Sequence, residues 1–140
     1  MLTLVLVIAA VVAVQRAPQY DLVISGGMVV DGTGGRARKA DVAVKDGRIA
    51  AVGTVARSSG RVAIDATGLV VAPGFIDVHT HGDDLADRPL ASNFVHMGVT
   101  SIIAGNCGGS AQDIGTALAR VADVRTSVNF STFIGHNTVR

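Results

Sequence analysis

The chain opens with a continuous apolar stretch, and short apolar runs separated by glycine and aspartate follow it. Residues 2–14 are apolar apart from Thr3, about the length of the hydrophobic region of a signal peptide. The stretch is too short to form a stable membrane span, which needs roughly 20 apolar residues. We therefore expect residues 1–19 to be a signal-like segment, with a candidate cleavage site at Val11-Val12-Ala13, and the protein to be periplasmic or secreted.

No Lys or Arg precedes this apolar stretch, in contrast to the charged start of a typical signal peptide. The alternative is that residues 2–14 are a buried strand or helix of the fold. The protein would then be cytoplasmic.

The pattern between residues 20 and 73 predicts short strands joined by tight turns. The predicted strands are residues 21–25, 28–30, 41–45, 48–52, 61–65 and 69–71. Asp46-Gly47 favours a type I′ turn, because both central positions need a positive φ, so a β-hairpin is predicted around it. We expect residues 20–73 to form a small antiparallel β unit.

After Pro73 the pattern alternates between strands and helices. The predicted strands are residues 75–79, 99–104 and 128–134, with helices at 91–97 and 111–122. Ser110 and Asp113 resemble a capping box for the second helix. The fold class is therefore α/β, with βα units on a parallel sheet in residues 74–140. A closed (β/α)₈ barrel takes about 250 residues, so only its first three strands are expected here.

Composition narrows the class of protein. Hydrophobic residues make up 49% of the chain and charged residues 16%, which excludes a disordered polar chain. The net charge is +1 and the basic residues are scattered, so no nucleic-acid partner is expected. Cys107 is the only cysteine, and a disulfide within the chain is excluded. No pattern in the sequence indicates the oligomeric state.

His79 and His81 are the first candidates for metal ligands. They follow an apolar strand, and residues at i and i+2 of a strand point to the same face, so both imidazoles could meet one cation. Imidazole is a common zinc ligand. The alternative is a pair of ordinary surface histidines at a strand end.

Cys107 is the second candidate, within Gly105-Asn106-Cys107-Gly108 directly after the second predicted strand. Glycines on both sides allow a sharp turn, and a thiolate is a strong zinc ligand. The alternative is a buried free cysteine that packs as a small apolar side chain.

These motifs together resemble the D-aminoacylase (N-acyl-D-amino-acid deacylase) family of the amidohydrolase superfamily. The resemblance runs from Tyr20 to Arg140, and its elements are residues 72–84, 93–95, 98–100, 105–108 and 135–140. The Pro-Gly-Phe-Ile-Asp-x-His-x-His part is typical of the superfamily as a whole. Gly-Asn-Cys-Gly and Gly-His-Asn-Thr-Val-Arg are narrower and favour D-aminoacylases.

The resemblance implies a β-sandwich joined to a metal-dependent TIM barrel, with residues 20–73 as part of the sandwich. It also implies that His79, His81 and Cys107 bind one or two zinc ions. The cysteine stands where related enzymes often use a carbamylated lysine, and Lys39 and Lys45, the only lysines here, both lie in the β unit. Further histidine ligands and the catalytic aspartate are expected beyond Arg140, so this portion is expected to be inactive by itself.

Four other residues are weaker candidates. His136 is expected near the substrate pocket, with structural hydrogen bonding as the alternative. Asp77, Asp83 and Asp84 are candidates for orienting a ligand histidine, because metal-bound imidazoles commonly donate their other N–H to a carboxylate. For Asp83 and Asp84 the alternative is loop capping. His96 is expected to be a surface residue.

The predicted reaction is hydrolysis of a small-molecule N-acyl-D-amino acid to a carboxylate and a D-amino acid. One alternative is another amidohydrolase, similar to hydantoinases or dihydroorotases. The other is a catalytically silent scaffold protein.

Overall fold

The computed structural model describes residues 17–140, which form two compact units that divide between Ala72 and Pro73. The predicted signal-like segment and its cleavage site lie outside the described residues. No helix within residues 17–140 has the length and apolar character needed to cross a membrane.

The first unit is a five-stranded sheet. Its strands are β1 (Tyr20–Val29), β2 (Arg38–Lys45), β3 (Arg48–Gly53), β4 (Gly60–Asp65) and β5 (Val70–Val71), and a single 3₁₀ turn, Arg57–Ser59, precedes β4. The order is β3-β2-β1-β4, with β5 also pairing with β1. The β1–β2 and β2–β3 pairs are antiparallel as expected, whereas β4 and β5 run parallel to β1. Val23 and Ala43 are completely buried in this unit.

The hairpin between β2 and β3 confirms the prediction made from its turn residues. Asp46 and Gly47 have φ angles of 51° and 71°, the positive values that a type I′ turn requires. Because this signal is local, two adjacent residues were sufficient to predict it.

Gly26-Gly27 is a bulge within β1 and not a turn between two strands. The register of β1 against β2 shifts between Ile24 and Gly27, and Gly26 has a φ of 77°. A Cβ at Gly27 would lie 2.5 Å from Cγ2 of Val71. Glycine therefore allows the strand to continue through the shift with β5 packed closely against it.

The second unit is a parallel three-stranded sheet with short helices. Its elements are β6 (Phe75–Asp77), α1 (Ser92–His96), β7 (Val99–Ala104), α2 (Ile114–Val124), β8 (Asn129–Thr132) and α3 (His136–Val139). The strand order β6-β7-β8 follows the chain and both pairs are parallel, as the alternation predicted. The described residues contain no closed barrel, so the barrel stays a prediction.

The core of this unit lies between β7, α1 and the segments beside them. Its buried residues share an aliphatic or aromatic character and are Leu85, Ala91, Phe94, Val99, Ile102 and Val128. Ile102 in the middle strand is only 1% exposed. Burial of these side chains fixes the strand ends, where the candidate ligands lie.

Helix α2 begins at a different cap from the one predicted. Its N-cap is Asp113, whose Oδ1 accepts a hydrogen bond from the Thr116 N–H, and the Thr116 hydroxyl donates to Oδ2. The backbone N–H of Thr116 is the main cause of the lowered pKa of Asp113. Ser110 instead bonds to residues after β8.

Candidate metal centre

Three loops follow the carboxyl ends of β6, β7 and β8 and meet at one edge of the parallel sheet. We call them the histidine loop (residues 78–83), the cysteine loop (residues 105–110) and the third loop (residues 133–135), which leads into α3. Because the strands are parallel and pair with one another, their carboxyl ends lie side by side. In barrel enzymes this edge holds the active site.

His79 and Cys107 are in direct contact. The Nε2 atom of His79 lies 3.2 Å from the Sγ atom of Cys107, and both residues are exposed to solvent. The contact joins the histidine loop to the cysteine loop. Two of the predicted ligands are therefore brought together by neighbouring strands.

The argument from strand alternation does not hold for His81. Strand β6 ends at Asp77, so both histidines lie in the loop that follows it. Oδ1 of Asp77 accepts a hydrogen bond from the backbone N–H of His79 at 3.1 Å. This bond begins the turn after the strand, and the Asp77 carboxylate therefore orients the His79 backbone.

Asn106 links the same two loops beside the contact between His79 and Cys107. Its Nδ2 donates to the carbonyl of Val78 at 2.7 Å and to the carbonyl of Ile103 at 3.3 Å. The Thr80 N–H also donates to the Ile103 carbonyl, at 3.2 Å. Oδ1 of Asn106 is buried and has no hydrogen-bond partner.

The glycines of the cysteine loop allow a close approach to the third loop. Gly105 has a φ of +81°, and a Cβ there would lie 2.2 Å from the carbonyl oxygen of Phe133. A Cβ on Gly135 would lie 2.3 Å from the carbonyl oxygen of Gly108. The two loops therefore pack backbone against backbone, which only glycine permits at these positions.

Hydrogen bonds hold these two loops together. The hydroxyl of Ser110 accepts from the Gly135 N–H at 2.8 Å, and the Ser110 N–H donates to Oγ1 of Thr138 at 3.0 Å. The Asn137 N–H donates to the Gly108 carbonyl at 2.8 Å. The cysteine loop is thus fixed on one side by the histidine loop and on the other by the third loop and α3.

The remaining candidates lie nearby without joining the pair. His81, Asp83 and Asp84 line a shallow cavity of about 380 Å³, where Asp84 forms an ion pair with Arg88 at 3.2 Å. His136 is exposed and is the first residue of α3. Among residues 17–140, no group of three or more His, Cys, Asp or Glu side chains is arranged to hold a metal ion. Ligand or pocket roles for these residues remain predictions.

The contacting pair fits two of the positions around a zinc ion. A tetrahedral zinc with imidazole nitrogen at about 2.0 Å and thiolate sulfur at about 2.3 Å separates the two atoms by about 3.5 Å. The observed separation of 3.2 Å is only slightly shorter. The donors are also the right chemical types, because zinc is borderline soft and binds both nitrogen and sulfur.

Sequence reasoning did not identify the residues that support this pair. The sequence motifs that contain Asn106, Asn137 and Thr138 assign these residues no role. The spacing of Ser110 from Asp113 predicts a helix cap instead. The available signal was the position of these polar residues directly beside glycines at two strand ends.

A family model described as the urease alpha-subunit, N-terminal domain, matches residues 7–75 of the chain. The described part of this match, residues 17–75, comprises the five-stranded sheet and reaches the first residue of β6. It does not include the histidine or cysteine loops.

Curated relatives match across both units. The chain is 36% identical to an N-acyl-D-aspartate deacylase of Alcaligenes xylosoxydans xylosoxydans over 87% of its own length and 29% of the relative. It is 34% identical to a D-aminoacylase of the same organism, over 86% of the chain and 30% of the relative. The chain therefore spans less than a third of the length of these relatives.

A solved structure extends the similarity to the fold. The N-acyl-D-glutamate deacylase of Bordetella bronchiseptica, complexed with zinc and a phosphonate inhibitor that mimics the tetrahedral intermediate, superimposes with a TM-score of 0.80 at 35% identity. The match covers 84% of this chain and 30% of that one. That protein binds zinc in its crystal structure.

Proposed function

The chain belongs to the D-aminoacylase family of the amidohydrolase superfamily, and from this premise we propose that it supplies zinc ligands to a hydrolase of N-acyl-D-amino acids. The reaction breaks the amide C–N bond with water and releases a carboxylate and a D-amino acid. The preference for the D-enantiomer rests on the relatives, whose names specify D-amino acids.

The contact between His79 and Cys107 carries the zinc part of this proposal. Two donors of different chemistry come from loops after adjacent strands and meet at 3.2 Å, while both remain accessible to solvent. A buried structural cysteine would instead pack among apolar side chains. An exposed thiol against an imidazole beside a strand end supports a metal-binding role over a purely structural one.

The side chains of this chain have distinct roles in the proposed site. His79 donates the Nε2 lone pair as a neutral imidazole, and Cys107 donates as a thiolate, which also offsets part of the metal charge. His81, two residues along the same loop, is proposed as a further ligand. When bound, zinc acts as a Lewis acid that polarises the acyl carbonyl and activates water.

Asp77 and the loop contacts keep these donors in place. The carboxylate of Asp77 holds the His79 backbone, and the third loop holds the cysteine loop from the other side. Because the folded backbone positions both donors, the ligands need little further ordering when a metal binds. We assign no general base among the described residues.

The test is enantioselective hydrolysis that depends on zinc. Purified full-length protein, including the later barrel strands on which the resemblance places further ligands and the catalytic aspartate, is incubated with N-acetyl-D-glutamate, N-acetyl-D-methionine and their L-isomers. Free amino acid is measured before and after zinc removal with a chelator. We expect release of the D-amino acid only, loss of activity without zinc, and recovery when zinc is restored.

Variants connect the activity to the assigned residues. His79→Ala is expected to abolish both activity and zinc content, whereas His96→Ala on the surface of α1 should preserve both. Release of the L-amino acid, or activity that survives zinc removal, would contradict the proposal. Zinc binding without hydrolysis of any substrate would support the alternative of a silent scaffold.

A further inference from the structure

We infer that Asn106 is a positioning residue that sets the distance between His79 and Cys107, an inference that rests on the proposed zinc function. No role for Asn106 follows from the metal ligands themselves. Its importance comes from the acceptors of its two hydrogen bonds, the carbonyl groups of Val78 and Ile103.

Asn106 and its main acceptor each precede one of the two proposed ligands. Its Nδ2 donates to the carbonyl of Val78, the residue before His79, and Asn106 is itself the residue before Cys107. The bond therefore joins the two loops at the residues that directly precede the proposed ligands His79 and Cys107. A short distance of 2.7 Å at this point limits how far the loops can separate.

The second hydrogen bond anchors the side chain to the sheet. Nδ2 also donates to the carbonyl of Ile103 within β7, and the same carbonyl accepts from the Thr80 N–H of the histidine loop. Asn106 thus ties both loops to one point on the middle strand. Separation of the two loops would have to break bonds at that point.

The chemistry of the amide fixes the orientation of the side chain. Turning it over would place Oδ1 against two carbonyl oxygens, which cannot donate. In the observed orientation Oδ1 is buried without a partner, an arrangement that costs stability. Only this orientation lets Nδ2 donate to the Val78 carbonyl, directly before His79.

The chain contains a matched control in Asn129. Its Nδ2 also bridges two strands, donating to the Thr100 carbonyl and to the Ser101 hydroxyl at 3.1 Å each. Asn129 is the first residue of β8, so this bridge lies at the opposite end of the sheet from the ligands. Both residues form a cross-link through a carboxamide, Asn106 between two loops and Asn129 between two strands, and only Asn106 lies beside the proposed site.

The experiment compares Asn106→Ala with Asn129→Ala in two measurements. In metal-free protein, the nuclear Overhauser contact between the His79 ring protons and the Cys107 β-protons reports the distance directly. In protein loaded with Co²⁺ in place of zinc, the thiolate-to-cobalt charge-transfer band reports the ligand set, and its titration gives the affinity. Thermal unfolding of both variants measures the structural loss.

We expect Asn106→Ala to lose the Overhauser contact and to bind cobalt about 10- to 100-fold more weakly, the usual effect of losing a group that orients a metal ligand. Asn129→Ala should keep both signals. If Asn106→Ala does not fold, Asn106→Ser, whose hydroxyl is too short to reach Val78, is measured in its place.

An Overhauser contact and a cobalt affinity that are unchanged in the Asn106 variant would overturn the inference. Equal losses in both variants would also overturn it, because the effect would then be general destabilisation. A parent protein that shows the Overhauser contact but binds no cobalt would contradict the proposed zinc function separately.

Discussion

The Nε2 atom of His79 and the Sγ atom of Cys107 lie 3.2 Å apart, although 28 positions separate these residues in the chain. The contact follows from the parallel pairing of β6 with β7, which places the loops after both strands at one edge. It also depends on loop geometry, because neither residue lies within a strand.

Replacing the thiolate should weaken zinc binding strongly. Cys107→Ser keeps the shape of the side chain and nearly its size, but a serine hydroxyl remains protonated and is a poor zinc ligand. We expect affinity to fall by more than the roughly 10- to 100-fold that loss of an outer-shell partner costs. Competition with a chromophoric chelator measures the change. His96→Ala is the control, and unchanged zinc affinity in Cys107→Ser would refute the ligand assignment.

Gly105→Ala should disrupt the packing of the cysteine loop against the third loop. The left-handed backbone alone costs an alanine about 1–2 kcal/mol, and the new Cβ would also collide with the Phe133 carbonyl. Gly109→Ala, where a Cβ meets no atom within 4 Å, should change the free energy of unfolding little. Urea unfolding followed by circular dichroism compares the two. Equal stability of both variants would contradict the described loop packing.

The hydroxyl of Ser110 should be needed to satisfy the buried backbone of Gly135. Ser110→Ala removes the acceptor of the Gly135 N–H, and an unsatisfied buried donor costs about 1–3 kcal/mol. Ser127→Ala removes an exposed hydroxyl that bonds to no other described residue, so its free energy of unfolding should match that of the parent. Hydrogen exchange at the Gly135 amide should accelerate in Ser110→Ala alone.

In the first unit, Asp41 should stabilise the sheet through its ionised carboxylate. Its two oxygens accept hydrogen bonds from the Gly26 N–H at 2.8 Å and the Val55 N–H at 2.9 Å. Asp41→Asn would turn an amide N–H₂ against one of these donors, with an expected loss of about 1–3 kcal/mol. Tyr20, the only tyrosine of a chain without tryptophan, lies in β1 and reports unfolding by fluorescence.

The contribution of Asp41 should depend on pH in a defined direction. The Val55 N–H, followed by the Gly26 N–H, lowers the pKa of Asp41 below its ordinary value of 3.8. The stabilisation is therefore complete above that value and is lost as the pH falls through the lower pKa of the folded state. The stability difference between parent and Asp41→Asn should be largest at neutral pH and shrink below 3.8. A difference that grows on acidification would contradict this assignment.

The parts of the fold that sequence predicted well are those with local signals. Asp46-Gly47 determines its own hairpin through positive φ values, and the alternation after Pro73 predicted β6, β7 and β8 in their parallel order. The parallel pairing of β4 with β1 had no local signal, because it depends on contacts between distant segments. The turn predicted at Gly26-Gly27 was wrong, because glycine pairs occur in both turns and bulges and here form a bulge within β1.

The candidate ligands were predicted from their residue types and motifs more successfully than from the expected strand geometry. The histidine and cysteine motifs identified His79 and Cys107, and the order of strands explains why these two meet. The expectation that His81 would share a strand face with His79 was wrong in its reasoning, because β6 ends at Asp77. The bonds of Asn106 and Ser110 depend on loop conformations for which periodicity gives no rule.

The placement of β1 at the centre of its sheet has a consequence for the order in which the polypeptide acquires structure. The β2–β3 hairpin can close within about 1–10 μs, because its strands are contiguous. One edge of β1 is covered by β2. The other edge stays unpaired until β4 and β5, which lie later in the chain, have been synthesised. We expect the nascent chain to expose that edge until residues 60–71 leave the ribosome, and an unpaired strand edge of this kind favours aggregation.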